Sequence, residues 1–183
     1  MRIIAGEFKG RKLMVEPGKL PRKNSKPGNV SYRPTTDFLR ETLFNILGDR
    51  VIDCDFLDVF AGCGSVGIEA LSRGAQNVVF VEKNPATAGV IKANLKMLNV
   101  ETKVYTSEAV SFIRSCSEKF DIVFIDPPYF NDMENQPVEA ALHSGIVKPG
   151  GMVILQHNVR AVLKIQPAES RRYSPNVLSF YYV

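Results

Sequence analysis

Apolar residues recur along this chain in short runs, and the segments between the runs have a helical repeat. The runs are rich in Val, Ile and Phe and predict β-strands at 55–60, 77–82, 102–105, 120–125 and 151–156. Between two of them, Asn84 and Pro85 supply a cap and a first-turn proline for a helix that extends to about Leu98. This alternation of strands and helices predicts an α/β fold with a doubly wound, mostly parallel sheet.

Segments outside this alternating body have other patterns. Residues 2–5 and 12–15 predict a short hairpin, and 17–30, rich in Pro, Gly, Lys and Asn, predicts a mobile loop. We therefore expect an N-terminal extension over 1–33 and a main domain over 34–183.

Three further elements are predicted within the main domain. Thr36 is expected to cap a helix that Gly48 ends. Residues 148–151 are expected to form a turn into the fifth strand, and 171–183 an antiparallel hairpin.

A glycine pattern follows the first predicted strand. Gly62, Gly64 and Gly67 form G-x-G-x-x-G, which permits a tight turn and close approach of a ligand at a helix N-terminus. Either a pyrophosphate or the carboxylate of an amino-acid-like cofactor can bind there. Asp58 favours the second, because its negative charge suits an ammonium group, and Glu82 ends the next strand where an acid usually holds ribose hydroxyls. The predicted cofactor is therefore S-adenosylmethionine.

A second motif, Asp126-Pro127-Pro128-Tyr129, ends the apolar run 120–125. It presents a carboxylate and backbone carbonyls without neighbouring N–H donors, beside an aromatic ring. These acceptors suit the exocyclic amine of a base, and stacking on the tyrosine ring contributes about 1–3 kcal/mol per base. The alternative is a Pro-Pro turn in which Asp caps the turn and Tyr covers an edge.

The two motifs are expected to meet in space. Carboxyl ends of parallel strands lie at one edge of a sheet, so Asp58, Glu82 and Asp126 should converge on one crevice. Holding an amine in line with an activated methyl group gains roughly 7–11 kcal/mol from orientation. Asp126 and the Pro127 carbonyl are expected to localise the lone pair on the amine nitrogen, and the base must be unstacked to enter.

Charge is distributed unevenly along the chain. Through Arg33 there are nine Lys or Arg against two acidic residues, a net charge of +7, whereas the remaining residues net −3. Such a segment is expected to contact phosphates independently of sequence and with strong salt dependence. The alternative is a solvated tail.

With these motifs the chain resembles bacterial methyltransferases that modify the N2 amine of a guanine in 16S small-subunit ribosomal RNA. The stretches that carry the resemblance are 1–6, 9–13, 33–37, 44–47, 60–75 and 126–129. It implies a Rossmann-like class I methyltransferase with a seven-stranded sheet that acts on 16S ribosomal RNA within the small subunit. A monomer is the simplest expectation for an enzyme that docks on a much larger particle. The Asp-Pro-Pro-Tyr signature is shared with DNA adenine and protein glutamine methyltransferases, so it indicates amine methylation but not the substrate.

Motifs and resemblance together predict the site residues. For catalysis we expect Asp126, Pro127, Pro128 and Tyr129. For cofactor binding we expect Asp58, Phe60, Ala61, Gly62, Gly64, Gly67, Glu82, Lys83, Glu108, Ala109 and Asp126. For RNA binding we expect Arg2, Lys9, Arg11, Lys12, Arg22, Lys23, Arg33, Thr35 and Tyr129.

The chain departs from the family pattern at three places. Cys63 stands where a small hydroxyl residue is usual, and Glu108 where related enzymes often hold the adenine amine with Asp. Gln156 stands before His157 where the family leads us to expect Glu, so a carboxylate role there lapses.

Composition excludes several other classes. At 183 residues with 45% hydrophobic content the chain can bury one sizeable core. No apolar run approaches the roughly 18 residues of a membrane span, and no signal-peptide pattern is found, so we expect a cytoplasmic protein. Three cysteines without a C-x-x-C pair disfavour disulfides and a zinc site. The functional alternatives are a DNA adenine-N6 methyltransferase, a non-catalytic RNA-binding module and, less favoured, a nicotinamide dehydrogenase.

Overall fold

The computed structural model describes residues 1–15, 37–128 and 133–183. Within them one sheet contains β1 (Asp55–Val59), β2 (Asn77–Glu82), β3 (Lys103–Thr106), β4 (Phe120–Ile125), β5 (Val147–Asn158), β6 (Glu169–Tyr173) and β7 (Asn176–Tyr182). The strand order is β3-β2-β1-β4-β5-β7-β6. Strands β1 to β5 are parallel, and β7 runs antiparallel to both β5 and β6. The predicted doubly wound, mostly parallel sheet is therefore confirmed.

Helices cover both faces of the sheet. They are α1 (Asp37–Leu47), α2 (Ser65–Ser72), α3 (Pro85–Leu98), α4 (Ala109–Ser115) and α5 (Asn135–His143), with a 3₁₀ turn at Gly48–Val51. The buried side chains of α1, α2 and α3 share one hydrophobic cluster with the N-terminal residues. Those of α4 and α5 share a second cluster on the opposite face. We call these the first and second faces of the sheet.

Local signals explain where α3 begins. The side-chain oxygen of Asn84 accepts hydrogen bonds from the N–H groups of Ala86 and Thr87, and Pro85 is the first helical residue. The helix ends at Leu98, as predicted, and Asn99 follows in the left-handed conformation.

The fifth strand corrects one prediction. Residues 148–151, expected to form a turn, belong to β5, which begins at Val147. Val147 pairs with Phe120, the N–H of Gly150 donates to the carbonyl of Val183, and the carbonyl of Gly151 accepts from the N–H of Val183. This segment stays extended because it finds partners on both sides, which the Pro-Gly-Gly pattern does not reveal.

Residues 1–15, which we call the arm, pack into the body of the molecule. The predicted hairpin is present in a shortened form: Arg2 and Lys12 form an antiparallel bridge, and the N–H groups of Ile3 and Leu13 donate to the carbonyls of Arg11 and Met1. Ile3, Phe8 and Leu13 are buried in the cluster on the first face. The loop predicted over 17–30 and the expected domain boundary at residue 33 lie outside the described residues.

Candidate active site

Acidic residues lie at the carboxyl ends of three neighbouring strands. In β1, β2 and β4, the side chains of Phe56, Phe80 and Phe124 are buried in the cluster on the first face. Side chains alternate along a strand, so the residue two positions further on is directed to the same face. In each strand that residue is acidic: Asp58, Glu82 and Asp126. The structure thus brings together the acids that the two motifs supplied.

Asp58 is the most deeply buried of the three, with 2% of its surface exposed. Its Oδ2 accepts a hydrogen bond from the N–H of Gly67 at 2.8 Å. Burial raises the pKa of Asp58 to about 7; the Gly67 bond opposes the shift, and the nearby charges of Asp126 and Glu82 add to it. Among the described residues no salt bridge involves Asp58. A cationic group from a ligand would therefore be stabilised beside it.

Glu82 connects the glycine turn to the start of α3. Its Oε2 accepts from the N–H of Gly62 at 2.9 Å, and its Oε1 accepts from the N–H of Asn84 at 2.8 Å. A carboxylate oxygen has two acceptor positions. The side chain can therefore hold this backbone and still accept bonds from ligand hydroxyls.

The glycine turn has an unusual backbone. Phe60, Gly62 and Gly64 all have positive φ values, of 61°, 58° and 80°. A non-glycine residue such as Phe60 seldom adopts this conformation, and such residues cluster at ligand sites.

The third glycine of the pattern serves packing. A Cβ atom on Gly67 would lie 2.3 Å from Cε1 of Phe80, so only glycine lets α2 approach β2 this closely. The close approach also brings the Gly67 N–H to Asp58.

Asn94 is a residue that the sequence analysis missed. Its Nδ2 donates to the carbonyl of Cys63 at 3.1 Å and to that of Met14 at 3.0 Å, and its Oδ1 accepts from the N–H of Met14 at 2.7 Å. It therefore joins the arm to the glycine turn. The available signal was a polar residue within the apolar stripe of Ile91, Leu95 and Leu98.

Glu69 makes a second unforeseen connection to the arm. Its fully buried carboxylate accepts from the N–H groups of Ile4 and Ala5 at 2.9 and 3.0 Å. Arg73 donates to it at 2.8 Å, and Arg40 lies 3.5 Å away. A buried carboxylate requires such partners, and here they fix the arm against α1 and α2.

Three further predicted cofactor residues follow the carboxyl ends of β2 and β3: Lys83, Glu108 and Ala109. Glu108 caps α4, with its Oε2 accepting from the N–H of Ser111 at 2.8 Å. Burial opposes its ionisation, but hydrogen bonds from the backbone of Ser111 and Val110 outweigh that effect and lower the pKa of Glu108. Ala109, the next residue, is buried, whereas Lys83 is exposed. The N–H of Ser107 donates to the carbonyl of Glu82, which brings this segment to the same sheet edge.

The Asp-Pro-Pro segment continues β4 beside β1. The N–H of Asp126 donates to the carbonyl of Val59 at 3.4 Å, Pro127 is buried, and Asp126 and Pro128 are partly buried. Gln156 is buried and follows Leu155, the partner of Ile125, so it lies level with Asp126. Tyr129 lies outside the described residues.

The predicted RNA-binding residues fall into two groups. Arg2, Lys9, Arg11 and Lys12 are exposed on the arm, with the Arg11 guanidinium 5.6 Å from the ring centre of Phe8. The others lie outside the described residues: Arg22, Lys23, Arg33 and Thr35. Thr36, the predicted cap of α1, also lies outside them.

Comparisons with known proteins identify the family of this chain. A family model described as Conserved hypothetical protein 95 matches residues 1–181. Ribosomal RNA small subunit methyltransferase D of Escherichia coli is 34% identical over 169 residues, 92% of this chain and 80% of that protein. The putative rRNA methyltransferase YlbH of Bacillus subtilis is 32% identical, over 86% of this chain and 83% of its own length.

Solved structures give the same result. The putative methyltransferase yhhF from Escherichia coli superposes with a TM-score of 0.84 and 31% identity, covering 100% of this chain and 97% of that one. A hypothetical protein from Thermus thermophilus superposes with a TM-score of 0.81 and 32% identity, covering 100% and 99%. In the part of this chain that the structure describes, no helix has the length and apolar character to cross a membrane.

Proposed function

The chain belongs to the family described as Conserved hypothetical protein 95, and from this premise we propose that it transfers a methyl group from S-adenosylmethionine to the N2 amine of a guanine in small-subunit ribosomal RNA. The curated relatives named Ribosomal RNA small subunit methyltransferase D support the substrate class. The observation that carries the proposal is the convergence of Asp58, Glu82 and Asp126 beside the glycine turn on one face of the sheet edge.

The residues around the glycine turn fit the proposed cofactor. Buried Asp58 favours a cation beside it, as the ammonium of an amino-acid moiety would provide. Glu82 keeps acceptor positions for ribose hydroxyls, while Glu108 and Ala109 lie at the adjoining strand end, where the adenine is expected. When bound, S-adenosylmethionine supplies a methyl group already activated on a sulfonium centre.

Asp126 is proposed to position the acceptor amine. Its carboxylate and the Pro127 carbonyl would accept the two amine hydrogens, which directs the nitrogen lone pair toward the methyl group. Asp126 also offers a position for the proton released after transfer. Tyr129 completes the motif as the residue on which the base stacks.

The arm extends the proposed substrate site. Its exposed basic residues Arg2, Lys9, Arg11 and Lys12 are anchored to the domain that carries the acids. We propose that they contact phosphates of 16S ribosomal RNA within the small subunit, and that the enzyme acts as a monomer in the cytoplasm.

A methyl-transfer assay tests this proposal. Purified protein is incubated with S-adenosylmethionine labelled in the methyl group and with small ribosomal subunits, free 16S ribosomal RNA or duplex DNA. We expect label in the subunit or its RNA, located on guanine N2 by nucleoside analysis, and little label with Asp126→Asn. Label in DNA alone would show a DNA adenine methyltransferase instead. Absence of both transfer and calorimetric cofactor binding would favour a non-catalytic RNA-binding module.

A further inference from the structure

Phe38 and Tyr173 form an aromatic pair that is not among the predicted catalytic, cofactor-binding or RNA-binding residues. Phe38, in the first turn of α1, has 65% of its surface exposed. Its ring centre lies 6.3 Å from that of Tyr173 at the end of β6, with the rings inclined by 73°. A largely exposed phenylalanine in an edge-to-face pair leaves a ring face open to a ligand base.

The strand register places Tyr173 on the same rim as the proposed catalytic residue. Tyr173 pairs with Asn176, and Asn176 pairs with Asn158 at the carboxyl end of β5. Gln156, two residues before Asn158, lies level with Asp126. Cross-strand partners share a face, so Tyr173 is directed to the same face as Asp126 and lies slightly further out along the strands.

The separation between the two positions suits nearby nucleotides of one strand. Strands β4 and β6 are three steps apart in the order β4-β5-β7-β6. At about 4.8 Å for each step the lateral distance is about 14 Å, and the two-residue offset along the strands adds about 7 Å in the perpendicular direction. A base held at Asp126 would therefore leave the chain that flanks it within reach of the aromatic pair.

An arginine lies near each side of the pair. On β6, Arg171 is directed to the same face as Tyr173 and is ion-paired with Glu169, whereas Arg172 is directed to the opposite face. On the other side, the carbonyl of Arg2 accepts from Nη2 of Arg40 at 2.6 Å, so the arm with exposed Arg2 lies against α1.

The charge around the pair is not purely basic. On the arm, Lys12 forms the antiparallel bridge with Arg2. Helix α1 carries two acidic residues, Asp37 and Glu41, and Asp37 is ion-paired with Arg40. The cations can neutralise phosphates while the rings accept a base, which is the combination found in single-strand binding sites.

We infer that Phe38 and Tyr173 form a stacking platform for an unpaired nucleotide that flanks the methylated base. This inference rests on the proposed function, because it assigns a further contact of the same RNA. The Phe38–Tyr173 platform is an RNA-contacting surface at the carboxyl edge of the sheet, separate from the Asp-Pro-Pro-Tyr motif and from the basic arm.

RNA-binding measurements test the platform directly. A fluorescent, unstructured oligoribonucleotide containing one guanine, and a 16S ribosomal RNA transcript, are titrated with the wild-type protein, Phe38→Ala, Tyr173→Ala and Phe38→Tyr. Loss of stacking should weaken RNA binding about five- to twentyfold in the two alanine variants. Phe38→Tyr should bind like the wild type, and calorimetric cofactor affinity should stay unchanged in all variants.

A matched control is available at the amino ends of the parallel strands. Tyr182 is 51% exposed at the last position of β7, where it pairs with Met152 of β5. Tyr182→Ala should leave RNA affinity unchanged. An equal loss in this variant would overturn the inference by showing a general effect of removing surface aromatics.

An abasic scan identifies the nucleotide that the platform contacts. Removing the flanking base that stacks should abolish the difference between wild type and Phe38→Ala, as expected for a direct partner in a double-mutant cycle. If Phe38→Ala and Tyr173→Ala bind every RNA as the wild type does, the platform is overturned while methyl transfer by the wild type still supports the proposed function. If RNA binding depends on Phe38 but neither RNA nor small subunits are methylated, the rings still contact RNA and the proposed function fails. If the wild type binds neither RNA, the platform is overturned, and methyl transfer to small subunits decides the proposed function separately.

Discussion

Two aspartates on the same strand have opposite environments. Asp55, at the amino end of β1, accepts hydrogen bonds from Lys148 and Asn77, both at 2.6 Å, and these bonds lower its pKa. Asp58, at the carboxyl end, is buried and has its pKa raised to about 7. No salt bridge among the described residues compensates Asp58, whereas the ammonium of Lys148 neutralises Asp55.

The opposite pKa shifts of Asp55 and Asp58 indicate different roles for the two ends of β1. At the amino edge, water and the ammonium of Lys148 stabilise the charges of Asp55 and Asp121, as is usual for surface ion pairs. The carboxyl edge maintains a buried negative charge at a cost in stability, and perturbed carboxylates of this kind are typical of functional sites. The same strand therefore contributes a structural carboxylate at one end and a carboxylate suited to a ligand at the other.

The largest expected effect comes from Asp126, the residue that follows β4. Asp126→Asn should lower kcat by about 100-fold or more, because it alters the group that we propose to position the reacting amine, while cofactor affinity stays within a few-fold. Asp121→Asn is the matched control, since Asp121 contacts Lys148 and the N–H of Asp55 at the amino edge. Steady-state methyl-transfer kinetics check both variants, and equal losses would remove the functional distinction between the edges.

The second prediction concerns the backbone that supports Asp58. Gly67→Ala should destabilise the protein by about 1–3 kcal/mol, because the added Cβ would overlap the ring of Phe80. Gly89→Ala, in α3 with nothing within 4 Å of an added Cβ, should instead stabilise it by about 0.5–1 kcal/mol. Urea denaturation measures both. A stable Gly67→Ala variant with normal cofactor affinity would contradict the packing role.

The third prediction uses the pH dependence of Asp58. Because its pKa is raised from 3.8 to about 7, cofactor binding should tighten as the pH rises toward 7 and the carboxylate ionises, by about tenfold per pH unit at most. Calorimetry from pH 5 to 8 should show this slope in the wild type and a flat profile in Asp58→Asn.

The unliganded protein should show the opposite trend. A raised carboxyl pKa stabilises the fold most below the unfolded value, and that contribution is lost as the pH rises through about 7. The free energy of unfolding of Asp58→Asn should lack this decline. If the free energy of unfolding of the variant declines with pH as in the wild type, another titratable group causes the decline.

The smallest effect is expected at the amino edge. Lys148→Met should cost no more than about 1 kcal/mol, because Lys148 and its carboxylate partners are partly exposed to solvent. The lowered pKa of Asp55 contributes stability above its usual value of 3.8 and loses it as the pH falls below that value. Thermal unfolding at low and high salt measures the effect, and a large loss of methyl transfer would contradict a purely structural role.

Local patterns were sufficient to predict the strand ends and the glycine turn. The run before Asp126 and the glycines at 62, 64 and 67 are short-range features, and short-range hydrophobic periodicity is strong in buried parallel strands. Short-range patterns do not predict the position of Tyr173 in the sheet. It depends on the order β5-β7-β6, which reverses the sequence of the last two strands.

Long-range polar contacts were equally inaccessible from the sequence. Glu69 and Asn94 bind backbone groups of the arm that precede them by 64 to 80 residues. Nothing near either residue in the sequence identifies its partner. The same separation explains why residues 148–151 were assigned to a turn, since their partner Val183 is also distant along the chain.

The anchoring of the arm has a consequence for biosynthesis. The ribosome makes the arm before α2 and α3. Ile3, Phe8 and Leu13 therefore cannot reach their buried positions until α3 has been translated. Contacts of such high sequence separation form slowly, because the loop must close before they contribute. During that interval the nascent chain exposes three apolar side chains that the finished fold buries.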